Sequence, residues 1–311
     1  MESIALIGAS GSLGKSIAAA LRAKATPYRL IGRSESSLRE TFGADPLATI
    51  TTWNMDDPDS VRQALAGIDT AIYLVGVNYW QFELHPQLMK KTLDGAISAG
   101  AKKLLLIGTV YPYGKPQTDR VSEDHPRQPH TYKGRMRKEQ EDLVLAAHDS
   151  GKIQTAILRL PDFYGPGVDK SFLWSAFEGA TTGKRAQLVG PIDTPHEFVY
   201  IPDAGATIAR LIAEPGAWGR AWNLGGAGVT STREMVEEIF AQSKRKPKYT
   251  VAGKTMLRIV GLFNPMVREL VEMHYLLTSP VILDDSRLKN LLGELPKMPY
   301  KEGIRHTLAS I

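Results

Sequence analysis

Residues 4–14 read Ile-Ala-Leu-Ile-Gly8-Ala-Ser10-Gly11-Ser12-Leu13-Gly14. An apolar run stops at a glycine-rich turn, and a helix-like segment follows from Ser12 to Arg22. Three glycines in this order, between a strand and a helix, restrict what the chain can build. Gly8 permits a tight turn, Gly11 lets the backbone approach a pyrophosphate, and Gly14 lets the helix lie close on the strand. The amides that open the helix, at the positive end of its dipole, then face the phosphates. Ser10, Ser12 and Leu13 share the turn and join the glycines as candidate cofactor contacts.

The pattern behind the turn repeats. Apolar runs at 4–7, 28–31, 48–53, 71–75, 104–107 and 155–158 alternate with helical stretches near Leu38 and at 60–66, 84–99 and 135–148. This alternation predicts an α/β fold with a doubly wound parallel sheet and helices on both faces. Ligands in such sheets bind beyond the carboxyl ends of the strands. Those ends bring in Val75, Gly76, Val77 and Pro161 as further cofactor contacts. After Pro161 the texture changes to loops, short strands and helices. Residues 1–165 are expected to form the dinucleotide-binding part, with segments near 193–228 and 277–290 returning to it. Residues 166–192 and 229–311 form a smaller C-terminal substrate-binding part.

The second strand ends Leu30-Ile-Gly-Arg33-Ser34. A carboxylate at this point would bond the ribose 2′-hydroxyl of NAD, whereas an arginine fork suits a 2′-phosphate. Arg33 and Ser34 therefore favour NADP (NADPH) over NAD. Asp56, past the third strand, is a candidate for the adenine amino group or for a helix cap.

Of the 311 residues 43% are apolar, enough for a substantial core, and none is cysteine. Disulfides, thiolate nucleophiles and zinc–cysteine sites are thereby excluded, which suits a reducing, cytoplasmic setting. The first strand begins by Ser3, leaving no room for a signal peptide. No apolar run approaches the roughly 20 residues that span a bilayer. The net charge of +5 is spread along the chain. Lys244–Lys248 reads as a solvated face, so neither nucleic acid nor membrane is an expected partner. The seven histidines are scattered and suggest no metal. No Gly-x-Ser-x-Gly elbow is present to suggest a serine hydrolase.

Taken together, the chain resembles the extended short-chain dehydrogenase/reductase family, which includes NAD-dependent epimerases and dehydratases. The resemblance covers most of the chain. It rests on Gly8–Gly14, Leu105-Leu-Ile-Gly-Thr109, Tyr113-Gly114, Arg159-Leu-Pro-Asp-Phe-Tyr-Gly-Pro-Gly167, Phe198-Val-Tyr-Ile-Pro-Asp203 and Trp222-Asn-Leu-Gly-Gly226. It implies a Rossmann-type fold and a Tyr-x-x-x-Lys pair on a helix, whose side chains face the nicotinamide from successive turns. The lysine ammonium lowers the tyrosine pKa so that a proton passes to or from the substrate oxygen, which Thr109 would hold. Tyr132 is the candidate, but Met136 stands four residues on. Arg135, three residues on, shares the face. Lys133 points about 100° away on an ideal helix. Tyr111 and Lys115 have the right spacing, but Pro112 and Gly114 lie between them and oppose a helix. The chain is similar to atypical members that keep the scaffold and alter the dyad.

Family members acting on nucleotide-diphosphate sugars often carry asparagine where Asp162 stands and a phosphate-binding arginine near His196. Asp162 would repel a diphosphate, and His196 lacks an arginine's permanent fork. A pocket lined by Tyr79, Trp80, Tyr111, Phe163, Tyr164 and Trp174 is expected instead. The expected function is an NADP(H)-dependent oxidoreductase acting on a small carbonyl or alcohol substrate. Thr109 would orient the oxygen, and Tyr132 would move the proton with help from Arg135 or Lys133. The alternatives are a sugar epimerase or dehydratase, which oxidises transiently and re-reduces, and a non-catalytic NADP(H)-binding redox sensor. The resemblance also implies a possible homodimer.

Overall fold

The structure, a computed structural model, describes residues 2–43 and 45–311. Its first half alternates strand and helix. The elements are β1 (Ile4–Ile7), α1 (Ser12–Ala23), β2 (Tyr28–Gly32), α2 (Glu35–Phe42), β3 (Ala48–Thr52), α3 (Pro58–Leu65), β4 (Thr70–Tyr73), α4 (Leu84–Ser98), β5 (Lys103–Thr109), α5 (Tyr132–Asp149) and β6 (Gln154–Leu160). The second half runs through β7 (Asp162–Tyr164), α6 (Trp174–Thr182), β8 (Ala186–Val189), β9 (Pro195–His196), β10 (Phe198–Tyr200), α7 (Ile201–Leu211), β11 (Arg220–Asn223), β12 (Thr230–Ser231) and α8 (Thr232–Gln242). It closes with β13 (Tyr249–Ala252), α9 (Lys254–Gly261), α10 (Pro265–Met273), α11 (Tyr275–Thr278), α12 (Ser286–Leu292) and α13 (Tyr300–Leu308).

Seven strands form one parallel sheet in the order β11-β6-β5-β4-β1-β2-β3. Side chains alternate across it, as the two-residue period of a strand requires. Ile4 and Leu6 of β1 enter the core under α1, α2, α7 and α12, while Ala5 and Ile7 enter the core under α3, α4 and α5. Burial on both faces explains why these strands read as continuous apolar runs. A third cluster joins α6, β8, β10, α8 and α13. The sheet order reverses direction between β1 and β4, and this is where a doubly wound fold opens its ligand crevice.

Local chemistry sets the helix starts. Asp57 caps α3 by accepting from the Asp59 amide at 3.0 Å, with Pro58 next to it. Ser231 and Glu234 form a reciprocal capping box at α8. α5 begins at Tyr132, three residues before the start that periodicity suggests, because Thr131 Oγ1 accepts from the Gly134 amide at 3.1 Å and caps it. Of the short parallel pair of β7 with β10, residues 198–201 read as a strand, but β7 carries no signal in the sequence, since 162–164 read as a strand end followed by loop.

Candidate active site

The glycine turn has the geometry its sequence demands. Gly8 sits at φ +77°, which disfavours any side chain, and a Cβ there would lie 2.9 Å from Val75 Cα. A Cβ on Gly14 would lie 2.0 Å from the Ala9 carbonyl oxygen. Gly11, by contrast, faces open space with nothing within 4 Å of a built Cβ. It is the N-cap of α1, and no side chain caps that helix nor does any acid sit in its first turn. The first amides of α1 are thus left for a ligand, and their setting fits a pyrophosphate. Ser10 is exposed and Ser12 half-buried beside this opening. The Leu13 side chain belongs to the core, so its contribution to a ligand is confined to the amide. Gly76, exposed after β4, also leaves open space, between half-buried Val75 and Val77. Pro161 is buried at the end of β6.

Arg33 emerges exposed from the end of β2 and makes no ion pair or hydrogen bond among the described residues. Its acidic neighbour Glu35 is occupied by Arg39 at 2.6 Å. Ser34 accepts from the Ser37 amide at 3.3 Å as the cap of α2. Asp56 pairs with Lys91 at 2.6 Å, which holds its carboxyl below the usual range. The capping role offered to Asp56 falls to Asp57.

The rotation of α5 departs from expectation. Its buried residues are Lys133, Gly134, Arg137, Gln140, Glu141 and Val144. Tyr132 is 44% exposed, and its hydroxyl is held above its ordinary pKa first by partial burial and then by the Glu83 carboxylate. That is the reverse of what an activated tyrosine needs. Arg135 is exposed and bonds the His130 carbonyl at 3.2 Å, and Met136 is half-buried. The physical reason is packing. Once Glu141 and Val144 lie against the sheet, helix periodicity carries Lys133 and Arg137 inward and Tyr132 and Arg135 outward.

Lys133 is 1% exposed. Its Nζ pairs with Glu269 and, at 2.7 Å, with Glu272, both on α10. Nζ also lies 6.0 Å from the Tyr79 ring centre and 5.6 Å from that of Phe82. Burial opposes the ammonium, but the two carboxylates outweigh it and hold the lysine above its ordinary pKa. One turn on, Arg137 donates to the Ile107 carbonyl and to His85 Nδ1, each at 3.1 Å. Burial, and then the Arg137 charge, push His85 down to about 2, so its ring is neutral. Tyr79 and Tyr111 share a hydroxyl contact of 3.0 Å, and the Tyr111 amide bonds Thr109 Oγ1 at 3.3 Å. Tyr111 and Asp162 line a cavity of about 10 Å³ closed over by α10 and α11. Asp162 in turn contacts His196 Nε2 at 3.0 Å.

The expected aromatic lining divides. Tyr79 and Tyr111 stand at the cleft. Trp80 is 51% exposed, and Phe163 packs on the core beneath α1. Tyr164 is fully buried against Tyr200 and Tyr300 in the third cluster, where Trp174 also packs. Tyr164 and Trp174 are therefore core residues, and Phe172 and Leu277 line the cavity instead. Among the described residues no group of acids and histidines could hold a metal ion, and no helix is long and apolar enough to cross a membrane.

Residues 4–225 match the family model described as the NAD dependent epimerase/dehydratase family. The chain belongs to that family. Among its relatives, the 3beta-hydroxysteroid-dehydrogenase/decarboxylase isoform 1 of Arabidopsis thaliana is 23% identical over 264 residues. That match takes in 74% of this chain and 58% of the relative, and the match to isoform 2 takes in 51% of its length. The dTDP-6-deoxy-L-talose 4-dehydrogenase (NAD(P)(+)) of Kitasatospora kifunensis is 23% identical over 257 residues, 77% of this chain and 79% of that protein. The solved UDP-glucuronic acid 4-epimerase from Bacillus cereus, in complex with NAD, superposes with a TM-score of 0.81 at 17% identity, covering 99% of this chain and 98% of that one. The dTDP-glucose 4,6-dehydratase from Streptomyces venezuelae, with NAD bound, gives 0.83 at 17%, covering 99% and 96%.

In this family member three groups escape the sequence reading. Arg137 is one, although it stands four residues after Lys133, the spacing sought from Tyr132. The second is a buried network in which Arg159 donates to both Glu141 oxygens at 2.9 and 2.7 Å and to Tyr113 at 2.7 Å, while Tyr113 donates to Asn223 at 2.9 Å. It ties β5's following turn, α5, β6 and β11 together below the cleft. The third is the pair Glu269 and Glu272, more than a hundred residues from the lysine they meet.

Proposed function

We propose that the protein is a nicotinamide-dinucleotide-dependent enzyme of the sugar epimerase/dehydratase type, working at a carbinol carbon that is oxidised and then re-reduced. The observation that carries this reading is the open Gly11 turn leading to a cleft where α5 turns Lys133 and Arg137 inward, one helical turn apart. A bound nicotinamide supplies the hydride acceptor and donor. The α1 amides hold its pyrophosphate, and the unpartnered Arg33 favours a 2′-phosphate, hence NADP, although the solved relatives named above hold NAD. Thr109, at the end of β5, and Lys133, on α5, hold the substrate oxygen. The hydroxyl proton that leaves on oxidation is the one that returns on re-reduction, and Lys133 would carry it in between, taking it as the neutral amine and giving it back as the ammonium. Arg137 donates to the neutral His85 and to the Ile107 carbonyl, with the Glu141 carboxylate the nearest opposing charge, and so packs behind Lys133.

A second reading is a net oxidoreductase on a small carbonyl or alcohol. Asp162, paired to His196 at the cleft, favours it because a carboxylate there opposes a diphosphate. The test begins with NADPH, NADH and their oxidised forms titrated by fluorescence. dTDP-glucose, UDP-glucuronic acid and a panel of carbonyl compounds follow. Conversion of a sugar nucleotide without net change in nicotinamide absorbance supports the first reading, and stoichiometric nicotinamide consumption supports the second. Failure to bind any dinucleotide overturns both.

A further inference from the structure

We propose that the hairpin of α9 and α10 docks the protein on an anionic membrane surface, with Leu262 and Phe263 among the lipid chains and the lysines and arginines of the same segment on the headgroups. The proposal goes beyond the reaction read above and does not depend on it.

The first observation is where apolar surface is left. Ten large apolar side chains are exposed among the described residues, and six of them fall between Val251 and Phe263. Ile259 is 59% exposed, Leu262 78% and Phe263 87%. Scattered singly, such residues need no explanation, but gathered on one short hairpin they mark a contact surface. Met256, Ile259, Val260 and Phe263 stand at i, i+3, i+4 and i+7, the stripe by which a surface helix normally faces its core. Here the stripe faces out. The helical turn carries on past α9, where the Leu262 amide donates to the Ile259 carbonyl at 3.2 Å and the Phe263 amide to the Val260 carbonyl at 3.0 Å. Within α9 the buried residues are Leu257 and Gly261. A Cβ on Gly261 would lie 2.8 Å from Arg268 Cα, so α10 packs closely there and holds the stripe outward.

The second observation is charge. Residues 243–268 contain seven lysines and arginines and no aspartate or glutamate. The whole chain carries only +5, so the rest of it is slightly acidic. The positive charge that reads as spread along the chain is therefore concentrated in the segment that carries the apolar stripe. Lys244–Lys248 is one end of that segment rather than an isolated solvated face. Lys244, Lys246, Lys248, Lys254 and Arg258 are exposed and make no ion pair among the described residues. The next acids in sequence, Glu269 and Glu272, are turned to Lys133.

Together the two observations select the occupant. A second copy of the chain would set one basic segment against another, which Coulomb repulsion opposes. Nucleic acid would meet the charge but leave Leu262 and Phe263 in water. A bilayer with anionic headgroups meets both needs. α9 is about 12 Å long, well short of the roughly 30 Å of hydrocarbon, so the hairpin lies on the surface rather than crossing it. On its inner side α10 contributes Leu270 and Met273 to the cavity beside Tyr111 and Asp162, so docking sets the cover of the cleft against the bilayer.

The test is sedimentation of the full chain with vesicles of phosphatidylcholine alone, or mixed with phosphatidylglycerol at about 70:30. The protein should bind the mixed vesicles, bind phosphatidylcholine far less, and be released as salt rises from about 0.1 to about 0.5 M. Leu262→Ser/Phe263→Ser should weaken binding about 100-fold, and Lys254→Gln/Arg258→Gln/Arg268→Gln by a similar factor. These side chains are exposed, so both variants should melt at the wild-type temperature. Val229→Ser, which removes an exposed apolar side chain elsewhere, should bind as the wild type does. Phe263→Trp should add emission that brominated lipid quenches. Absence of binding to the mixed vesicles overturns the proposal. Binding that survives Leu262→Ser/Phe263→Ser marks a polyanion site without insertion and overturns it too. A dimer in sedimentation velocity that Leu262→Ser/Phe263→Ser dissociates, with no vesicle binding, assigns the face to a second copy and overturns it as well.

Discussion

Lys133 and Tyr132 are neighbours in sequence and opposites in environment. One is 1% exposed with two carboxylates on its ammonium, the other 44% exposed beside Glu83. The sequence made Tyr132 the conspicuous one for a physical reason. The buried face of α5 is mostly polar, with Lys133, Arg137, Gln140 and Glu141 inside, so an apolar stripe could not report how the helix is turned. Arg33 ends a strand beside the glycine turn, exposed, where a charge has few structural uses. Replacing it should be felt only by the cofactor. Arg33→Ala is expected to weaken NADPH binding about 10- to 100-fold, the loss of one charge-assisted fork, and to leave NADH nearly unchanged. Fluorescence titration of both nucleotides checks this, and equal losses for the two would remove the NADP preference.

At the level of elements the glycine turn was fully legible, because its residues are dictated by contacts only two to six positions away or by one neighbouring strand. Gly14 shows this most sharply. A methyl group there would press on the Ala9 carbonyl at 2.0 Å, and α1 would have to move away from β1. Gly14→Ala should cost about 1–3 kcal/mol by overpacking and weaken dinucleotide binding as well. Urea unfolding and nucleotide titration of the same sample check both expectations, and wild-type values in both would show that the turn is looser than drawn. Helix starts with a capping side chain, Asp57 before Pro58 and Ser231 three residues before Glu234, are likewise fixed by near neighbours in sequence. The start of α5 was not legible, because Thr131 caps it without the apolar run that usually follows a cap.

Across the whole molecule, the parallel sheet could be read from alternation alone, whereas what crosses between distant segments could not. The Arg159–Glu141 pair joins β6 to α5 and, through Tyr113 and Asn223, reaches β11. Burial fixes its importance. Removing one partner strands the other charge in the interior, so Glu141→Gln should cost about 3–5 kcal/mol of stability. Chemical denaturation checks this, and a loss under 1 kcal/mol would mean that water reaches the pair. The contact of α10 with Lys133 is of the same long-range kind. The central claim is that Lys133, with Arg137 behind it, holds the place of the proton-exchanging group. The most direct measurement is an experimental structure with NADPH bound. It should show Lys133 Nζ facing C4 of the nicotinamide across the cleft and Tyr132 turned to solvent. A Tyr132 hydroxyl nearer to C4 than the Lys133 ammonium would contradict the account.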